Sequence, residues 1–488
     1  MVIESLKYKI LQQFGFAPTQ EQGQALDTFV SFLTDRDSQA VMILRGSAGT
    51  GKTSLSGAIV RTLLQIRQKV MLLAPTGRAA KVFSLGSGAP AYTIHRRIYR
   101  EKAFAGVDGQ FSLNDNLYTD TLFMVDEASM IANMGLGGTT FGSGCLLDDL
   151  VKFVYQGHND RLLLIGDKAQ LPPVGEEESP ALSASVMEGY GLKVYECDLN
   201  EVLRQSQSSG ILYNATLIRQ MITHDAVTGL PLIRFKGFAD IVMMPGAELV
   251  ESLGDSYHHV GMDDTMVITR SNKRANIYNN GIRNMVLDRE EELSSGDMLM
   301  IVKNNYFWTE KEKKESGEGS AGAVPAFLAN GDRAKVLRVS NYIELYGFRF
   351  ATLLLQLPDY DDYEMQVTGM LDTLQSEAPA LTHEQQEELF RQVEEDYQHF
   401  VPLKADRMKS IRQDAYFNAL QIKYAYAVTC HKAQGGQWAH VYVDQGYMTD
   451  DMLTPDYIHW LYTAFTRATD KLFLVNWPKE QTSEPTDL

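Results

Sequence analysis

The chain has 488 residues, of which 45 are basic and 62 acidic, so its net charge is −17. This length predicts two to four domains, and a hydrophobic fraction of 44% excludes a wholly disordered protein. No apolar run approaches the roughly 20 residues of a membrane span, no secretory signal opens the chain, and three scattered cysteines indicate a reducing compartment. We therefore expect a cytoplasmic protein without membrane contact, whose acidic balance argues weakly against nucleic-acid binding.

Short apolar runs alternate with helical patterns through the first part of the chain. These runs are Val41–Leu44, Val70–Leu73, Leu122–Val125 and Leu162–Ile165. Such runs are typical of strands buried in a parallel sheet with helices on both faces. The same pattern returns at Met266–Thr269 and over residues 421–475, which predicts a second α/β unit.

The middle of the chain differs from both. Residues 298–357 hold three apolar runs separated by turn residues, which predicts a small β-rich module. Residues 358–400 carry −11 of the net charge, so the other 445 residues carry only −6. Thr382 and Gln385 predict a capping box that opens a helix within this acidic arm. Because the acid is concentrated there, the total charge does not exclude a nucleic-acid channel elsewhere.

The segment Gly46–Thr53 matches the complete phosphate-loop pattern between a predicted strand and a predicted helix. The glycines let backbone N–H groups approach phosphates, Lys52 brings charge to the β/γ oxygens, and the Thr53 hydroxyl can bind Mg²⁺. We expect ATP and Mg²⁺ as cofactors. The predicted nucleotide-binding residues are Gly46, Ser47, Ala48, Gly49, Thr50, Gly51, Lys52, Thr53 and Ser54.

Two further apolar runs end in polar residues suited to ATP hydrolysis. Asp126 and Glu127 follow Leu122–Val125, and such an acid pair predicts a metal and water site, although alone it could cap a helix. We expect Asp126 to bind Mg²⁺ with Thr53 and Glu127 to orient the attacking water. Gln170 follows the next run and is placed to sense the γ-phosphate.

In their order, these motifs resemble those of the superfamily 1 helicases, and within them the 1B branch of RecD and the bacteriophage Dda helicase. The likeness runs from Thr19 to Arg467. Its further motifs are Thr19–Gln22, Ala74–Lys81, Thr93–His95, Leu199–Gln205, Ala329–Asp332, Val428–Gly435 and Tyr462–Ala468.

The resemblance implies an α/β fold of two RecA-like parallel-sheet domains, with a small wedge insertion and a β-rich SH3-like domain that carries a helical extension. The implied boundaries are 1–95 with 122–203 for the first RecA-like domain, 96–121 for the wedge, 204–296 with 421–488 for the second RecA-like domain, and 297–420 for the SH3-like domain.

The resemblance also implies roles for individual residues. Gln22 would read adenine, Arg204 would reach the γ-phosphate and Arg467 would be the arginine finger. A single DNA strand would be bound through Pro75, Thr76, Arg78, His95, Thr429, His431 and Lys432. In the wedge, Phe104 or Phe111 either stacks at the fork or packs on its own domain. The Gly-rich segment Gly135–Gly144 predicts a mobile loop.

The function that follows is an ATP-dependent 5′→3′ DNA helicase, acting as a monomer on single strands and duplex junctions. The direction comes from the resemblance alone. A translocase or RNA helicase of the same branch remains an alternative. So does an ATP-driven switch that does not unwind and presents the acidic arm to a partner protein.

Overall fold

A computed structural model of the chain describes residues 2–105, 108–135, 142–201, 208–223, 229–316, 324–325, 327–401, 403–449 and 452–483. Of residues 2–4, 101–105 and 108–110 it describes the backbone only. Within these ranges, no helix is long and apolar enough to cross a membrane.

The described strands and helices are as follows. The strands are β1 Ala40–Gly46, β2 Lys69–Ala74, β3 Ala91–Thr93, β4 Tyr99–Ala105, β5 Asp108–Leu113, β6 Thr121–Val125, β7 Arg161–Gly166, β8 Lys193–Leu199, β9 Ile241–Met244, β10 Thr265–Thr269, β11 Met298–Ile301, β12 Arg333–Leu345, β13 Phe348–Leu357, β14 Tyr363–Met370, β15 Leu420–Tyr424, β16 Ala427–Thr429, β17 Trp438–Asp444 and β18 Ala468–Val475. The helices are α1 Val2–Phe14, α2 Gln20–Leu33, α3 Lys52–Gln65, α4 Gly77–Ser87, α5 Ile94–Ile98, α6 Leu146–Gln156, α7 Ala184–Gly189, α8 Gly210–Thr223, α9 Leu249–His259, α10 Asn272–Gly281, α11 Phe307–Ser316, α12 His383–Gln398, α13 Lys404–Arg412, α14 Cys430–Ala433 and α15 Pro455–Phe465.

The first sheet is parallel throughout, with the strand order β3-β2-β6-β7-β1-β8. Alternate residues of β1 enter different cores: Met42 and Leu44 pack on one face, Val41 and Ile43 on the other. Both faces are therefore covered, which explains why the strands are continuous apolar runs rather than alternating ones.

The second sheet, with the order β16-β10-β17-β18-β9, is also parallel. The predicted run Met266–Thr269 lies in β10, the second strand of this sheet, and all five residues of β10 are buried. Two helix-covered parallel sheets in one chain confirm the predicted pair of RecA-like units.

Strands β11 to β15 close into a small barrel. Its neighbouring strands are antiparallel except for β14 and β15, which run parallel. The barrel confirms the predicted β-rich, SH3-like module. The boundary predicted at residue 421 is wrong. The sequence predicts that residues 421 onward belong to the second RecA-like domain, but β15 (Leu420–Tyr424) completes the barrel. The sequence of a short apolar strand looks the same whether the strand belongs to a parallel sheet or to a barrel. Only its hydrogen-bond partners distinguish the two cases.

Only part of the acidic arm, His383–Gln398, forms α12, which packs against the barrel, whereas Tyr363–Met370 is the barrel strand β14. Thr382 and Gln385 form the predicted capping box. Leu389 and Val393 are buried in a cluster with Phe350 of the barrel, whereas Phe400 is 79% exposed. The helix therefore belongs to the barrel module and turns its carboxylates outward.

Candidate nucleotide and nucleic-acid site

The phosphate loop joins β1 to α3 at the carboxyl edge of the first sheet. Gly49 and Gly51 have φ values of 78° and 82°, which L side chains rarely adopt. A Cβ at Gly46 would lie 2.9 Å from Lys52 Cγ, so the side chain of Lys52 can fold over the loop only because Gly46 has none. Lys52 Nζ donates to the carbonyls of Gly46 and Ser47. The loop therefore holds its lysine inside a narrow glycine-lined turn.

The acid pair lies beside this loop, at the end of β6. Burial raises the pKa of Asp126, the charge of Glu127 raises it further, and Lys52 acts in the opposite direction. Glu127 has a φ of 53°, an uncommon backbone conformation for a non-glycine residue. Gln170, at the end of the neighbouring β7, is 6% exposed, and its Oε1 has no hydrogen-bond partner among the described residues. The structure thus brings together the polar residues that we predicted from separate apolar runs.

Gln22 lies beneath the loop rather than open to solvent. It is 1% exposed; its Oε1 accepts the N–H of Thr19 and its Nε2 donates to Thr50 O at 2.9 Å. In this arrangement its side chain ties α2 to the loop. Recognition of adenine by Gln22 stays a prediction.

Two residues from helices that pack in the core of the second sheet reach the loop. Tyr462 of α15 accepts the Ala48 N–H at 3.0 Å and donates to Asp167 Oδ2 at 2.6 Å. Arg219 of α8 donates to Ser47 Oγ at 2.6 Å. Since Asp167 follows β7 of the first sheet, these contacts close a cleft between the two sheets around the phosphate loop.

The predicted arginine finger, Arg467, points elsewhere. It is 2% exposed and donates to Thr463 O and Gly436 O, each at 3.1 Å, within the second half of the chain. Arg204, the other predicted γ-phosphate contact, lies outside the described residues. In this structure Arg467 is therefore bonded away from the phosphate loop.

The predicted DNA contacts Thr76 and Arg78 open α4, after Pro75 and the end of β2. Thr76 caps the helix by accepting the Ala79 N–H at 3.2 Å. The guanidinium of Arg78 donates to Gln437 O at 2.7 Å and lies 4.5 Å from the ring centroid of Trp438. Burial lowers the pKa of Arg78 to about 10, so it stays charged at neutral pH. These residues lie at the seam between the two sheets.

The remaining predicted DNA contacts from the cleft are His95 on α5 and three residues around the short helix α14. Thr429 ends β16 and begins that helix, which contains His431 and Lys432. Burial lowers the pKa values of His95, to about 4, and of His431, so both imidazoles are neutral at pH 7. Burial and the nearby Lys423 lower the pKa of Lys432 to about 8.

Two protein families match separate parts of the chain. Residues 17–229 match the AAA domain family, and residues 424–475 match the UvrD-like helicase C-terminal domain family. The ATP-dependent RecD2 DNA helicase of Deinococcus radiodurans is 30% identical over 157 residues. This chain therefore contains an AAA domain and, after it, a UvrD-like helicase C-terminal domain.

Two further proteins resemble this chain in sequence. Protein MJ1519 of Methanocaldococcus jannaschii is 33% identical over 168 residues, and protein R530 of Acanthamoeba polyphaga mimivirus is 21% identical over 90% of this chain and 96% of its own. The matches to MJ1519 and RecD2 each cover 32% of this chain but only 13% and 18% of those proteins. Among solved structures, Bacteroides Pif1 helicase in complex with ADP-AlF3 and single-stranded DNA has a TM-score of 0.46 at 13% identity, covering 96% of this chain and 95% of that one.

Residues 96–121, which we predict to be a wedge, contain a two-stranded hairpin of β4 and β5. The ring of Phe111 lies 4.7 Å from Tyr306, which in turn stacks on Phe327 at 4.7 Å. The hairpin therefore contacts the module that carries the barrel. The side chain of Phe104 and part of the Gly135–Gly144 loop lie outside the described residues.

Sequence reasoning missed Arg219 and the contacts of Tyr462. Tyr462 stands inside the matched segment Tyr462–Ala468, where we singled out only Arg467. Arg219 has no local signal, because it lies on an ordinary amphipathic helix and its partner Ser47 is 172 residues away. Only the side-chain contacts of α8 and α15 with the phosphate loop reveal either residue.

Proposed function

We propose that the protein is an ATP-dependent DNA helicase that moves 5′→3′ along single-stranded DNA and separates duplex strands. The observation that carries this proposal is the cleft, in which Tyr462 and Arg219, from helices of the second sheet, meet the phosphate loop of the first sheet. A nucleotide bound there would bias the two sheets toward closure, and hydrolysis would release them.

The residues around the loop suit ATP with Mg²⁺. Two buried polar atoms near the loop, Gln170 Oε1 and Ser129 Oγ, lack partners within the described part of the chain. Thr53 and Asp126 would hold the Mg²⁺, which supplies charge neutralisation at the phosphates. Glu127 would orient the attacking water, and Lys52 would bind the β/γ oxygens.

The two cations that we predict at the γ-phosphate, Arg204 and Arg467, belong to the predicted second RecA-like domain. Arg467 would exchange its bonds to the carbonyls of Thr463 and Gly436 for the γ-phosphate, and Arg204 would join it there. Such charges stabilise the transferring phosphoryl group. Because Arg467 lies on the side of the cleft opposite Lys52, this stabilisation requires closure.

The strand would cross the seam between the sheets, where α4 and α14 begin. Helix N-termini, hydroxyls and the charged Arg78 and Lys432 bind phosphates without reading bases. The hairpin would wedge the fork, braced through Phe111 and Tyr306. The acidic arm, packed on the barrel, would face away from the strand or dock a partner protein. One chain supplies both walls of the cleft, which supports a monomer.

The decisive experiment is unwinding of duplexes that carry either a 5′ or a 3′ single-stranded tail, with Lys52→Ala as control. We expect ATP-dependent unwinding from the 5′ tail only, and loss of both hydrolysis and unwinding in Lys52→Ala because the β/γ oxygens lose their cation. Unwinding from the 3′ tail alone would contradict the assigned direction. No unwinding from either tail, with ATP hydrolysis intact, would favour a translocase or a switch.

A further inference from the structure

Arg219 joins helix α8, which packs in the core of the second sheet, to the phosphate loop of the first sheet. Its Nη1 donates to Ser47 Oγ at 2.6 Å and to Asn200 Oδ1 at 3.0 Å. Ser47 is 5% exposed, and its own N–H donates to Leu199 O at 3.3 Å. The guanidinium therefore binds the phosphate loop at Ser47, whose backbone is already hydrogen-bonded to the end of β8.

Both acceptors of Arg219 are neutral. Within the described ranges, no carboxylate forms an ion pair with Arg219, whereas Arg45 on the same side of the first sheet is paired with Glu196 and Asp198. A guanidinium bonded only to hydroxyl and amide oxygens keeps its charge for an approaching anion. A phosphate loop binds such anions, because its backbone N–H groups point at the ligand.

The contacts of Arg219 also distinguish it from Arg467. Arg467 bonds carbonyls of its own half of the chain, whereas Arg219 spans the cleft and lies close enough to Tyr462 for its charge to lower the pKa of that phenol, against the larger effect of burial. Ser47, Ala48 and the two cleft-spanning side chains thus form one hydrogen-bonded cluster.

We propose that Arg219 is a positioning residue for nucleotide binding. Its hydrogen bond to Ser47 holds the phosphate loop against helix α8, and this contact strengthens the binding of ATP. The inference rests on the proposed function and deepens it, since it adds a cleft-spanning cation that none of the ATPase motifs contains. It also gives domain closure a direct mechanical link to the loop.

The test is the Kd of a fluorescent ATP analogue, measured with Mg²⁺ for the wild type, Arg219→Gln, Ser47→Ala and the double variant. We expect Arg219→Gln to weaken binding roughly tenfold, because a charge-assisted hydrogen bond is lost. Since both residues act through one contact, the double variant should bind within about twofold of Arg219→Gln. Arg219→Lys should fall between the wild type and Arg219→Gln, because it keeps a charged donor.

Arg234→Gln is the matched control, because the Arg234 guanidinium lies over the rings of Tyr213 and Phe238, at 5.5 and 5.6 Å. We expect it to bind the analogue as the wild type does. Wild-type affinity in Arg219→Gln, or effects of the two single substitutions that simply add in the double variant, would overturn the inference. If Arg219→Gln unfolds early, Ser47→Ala and Arg219→Lys carry the test. A wild type that binds the analogue without unwinding DNA would defeat the proposed function alone.

Discussion

At the scale of single residues, Asp332 is the most unusual side chain outside the nucleotide site. It is fully buried; its Oδ2 accepts the Tyr360 hydroxyl at 2.6 Å and the Ala329 N–H at 2.7 Å, while its Oδ1 has no partner among the described residues. That oxygen points at α4, where a Cβ on Gly77 would approach it to 2.4 Å. Burial raises the pKa of Asp332 to about 7. The buried carboxyl group of Asp332 therefore lies against α4, the helix that we predict to bind DNA.

We expect Asp332→Asn to stabilise the protein increasingly as the pH rises from about 4 to about 7. Because the folded pKa is raised, folded Asp332 holds a proton that the unfolded chain has lost, so wild-type stability falls across this window and the loss is complete above it. The difference should reach on the order of 3 kcal/mol. The free energy of unfolding, measured by denaturant titration at several pH values, checks this. A difference that does not vary with pH would contradict it.

At the scale of elements, the hairpin of β4 and β5 depends on a partner. An isolated two-stranded hairpin is marginally stable in water. Here Phe111 contacts Tyr306, which stacks on Phe327, so the hairpin gains a three-ring contact with the module that carries the barrel. This contact fixes the direction in which a wedge would point.

We expect Phe111→Ala and Phe104→Ala each to abolish strand separation while DNA-stimulated ATP hydrolysis continues. The physical reason is that a wedge needs a rigid stacking face, whereas hydrolysis needs only the cleft. Unwinding of a tailed duplex and ATPase rates measured on the same preparations check this. Phe16→Ala, at a 70% exposed ring on the chain's amino-terminal side, is the control. Loss of both activities together would point to a folding defect.

The acidic helix α12 calls for point substitutions rather than deletion, because Leu389 and Val393 belong to a core shared with the barrel. We expect the triple substitution of the exposed Glu384, Glu387 and Glu395 by Gln to change stability by no more than about 0.5 kcal/mol and DNA affinity by less than about twofold. DNA-binding titrations and unwinding rates are the measurements. Clearly tighter DNA binding would mean that the arm borders the strand.

At the scale of the whole molecule, charge is distributed unevenly. The acidic arm carries −11 and the rest of the chain only −6, while the cleft seam holds Arg78 and Lys432. A strongly acidic protein can therefore still offer a locally favourable path for a phosphate backbone.

We expect the affinity for single-stranded DNA to fall as salt rises, despite the net charge of −17. About three phosphate contacts would release counterions and give a slope near −2 in a plot of log affinity against log salt concentration. Fluorescence anisotropy with a labelled oligonucleotide at several salt concentrations measures it. An affinity that does not depend on salt would exclude phosphate contacts as the basis of binding.

The sequence by itself determined the local parts of this protein. The phosphate loop, the acid pair after β6, the buried parallel strands and the capping box of α12 each follow from a few adjacent residues, because steric and hydrogen-bonding rules act over short distances. The barrel was also visible as a β-rich stretch, but β15 was misplaced, since a short apolar strand carries no mark of its partners.

Only the tertiary structure decided which distant groups meet. Arg219 and Tyr462 reach the phosphate loop across 172 and 414 residues of chain, Arg467 bonds its own half, and Asp332 is buried against Gly77. These facts depend on how two sheets and a barrel pack together, and that packing is set by the shapes of whole surfaces rather than by any local pattern.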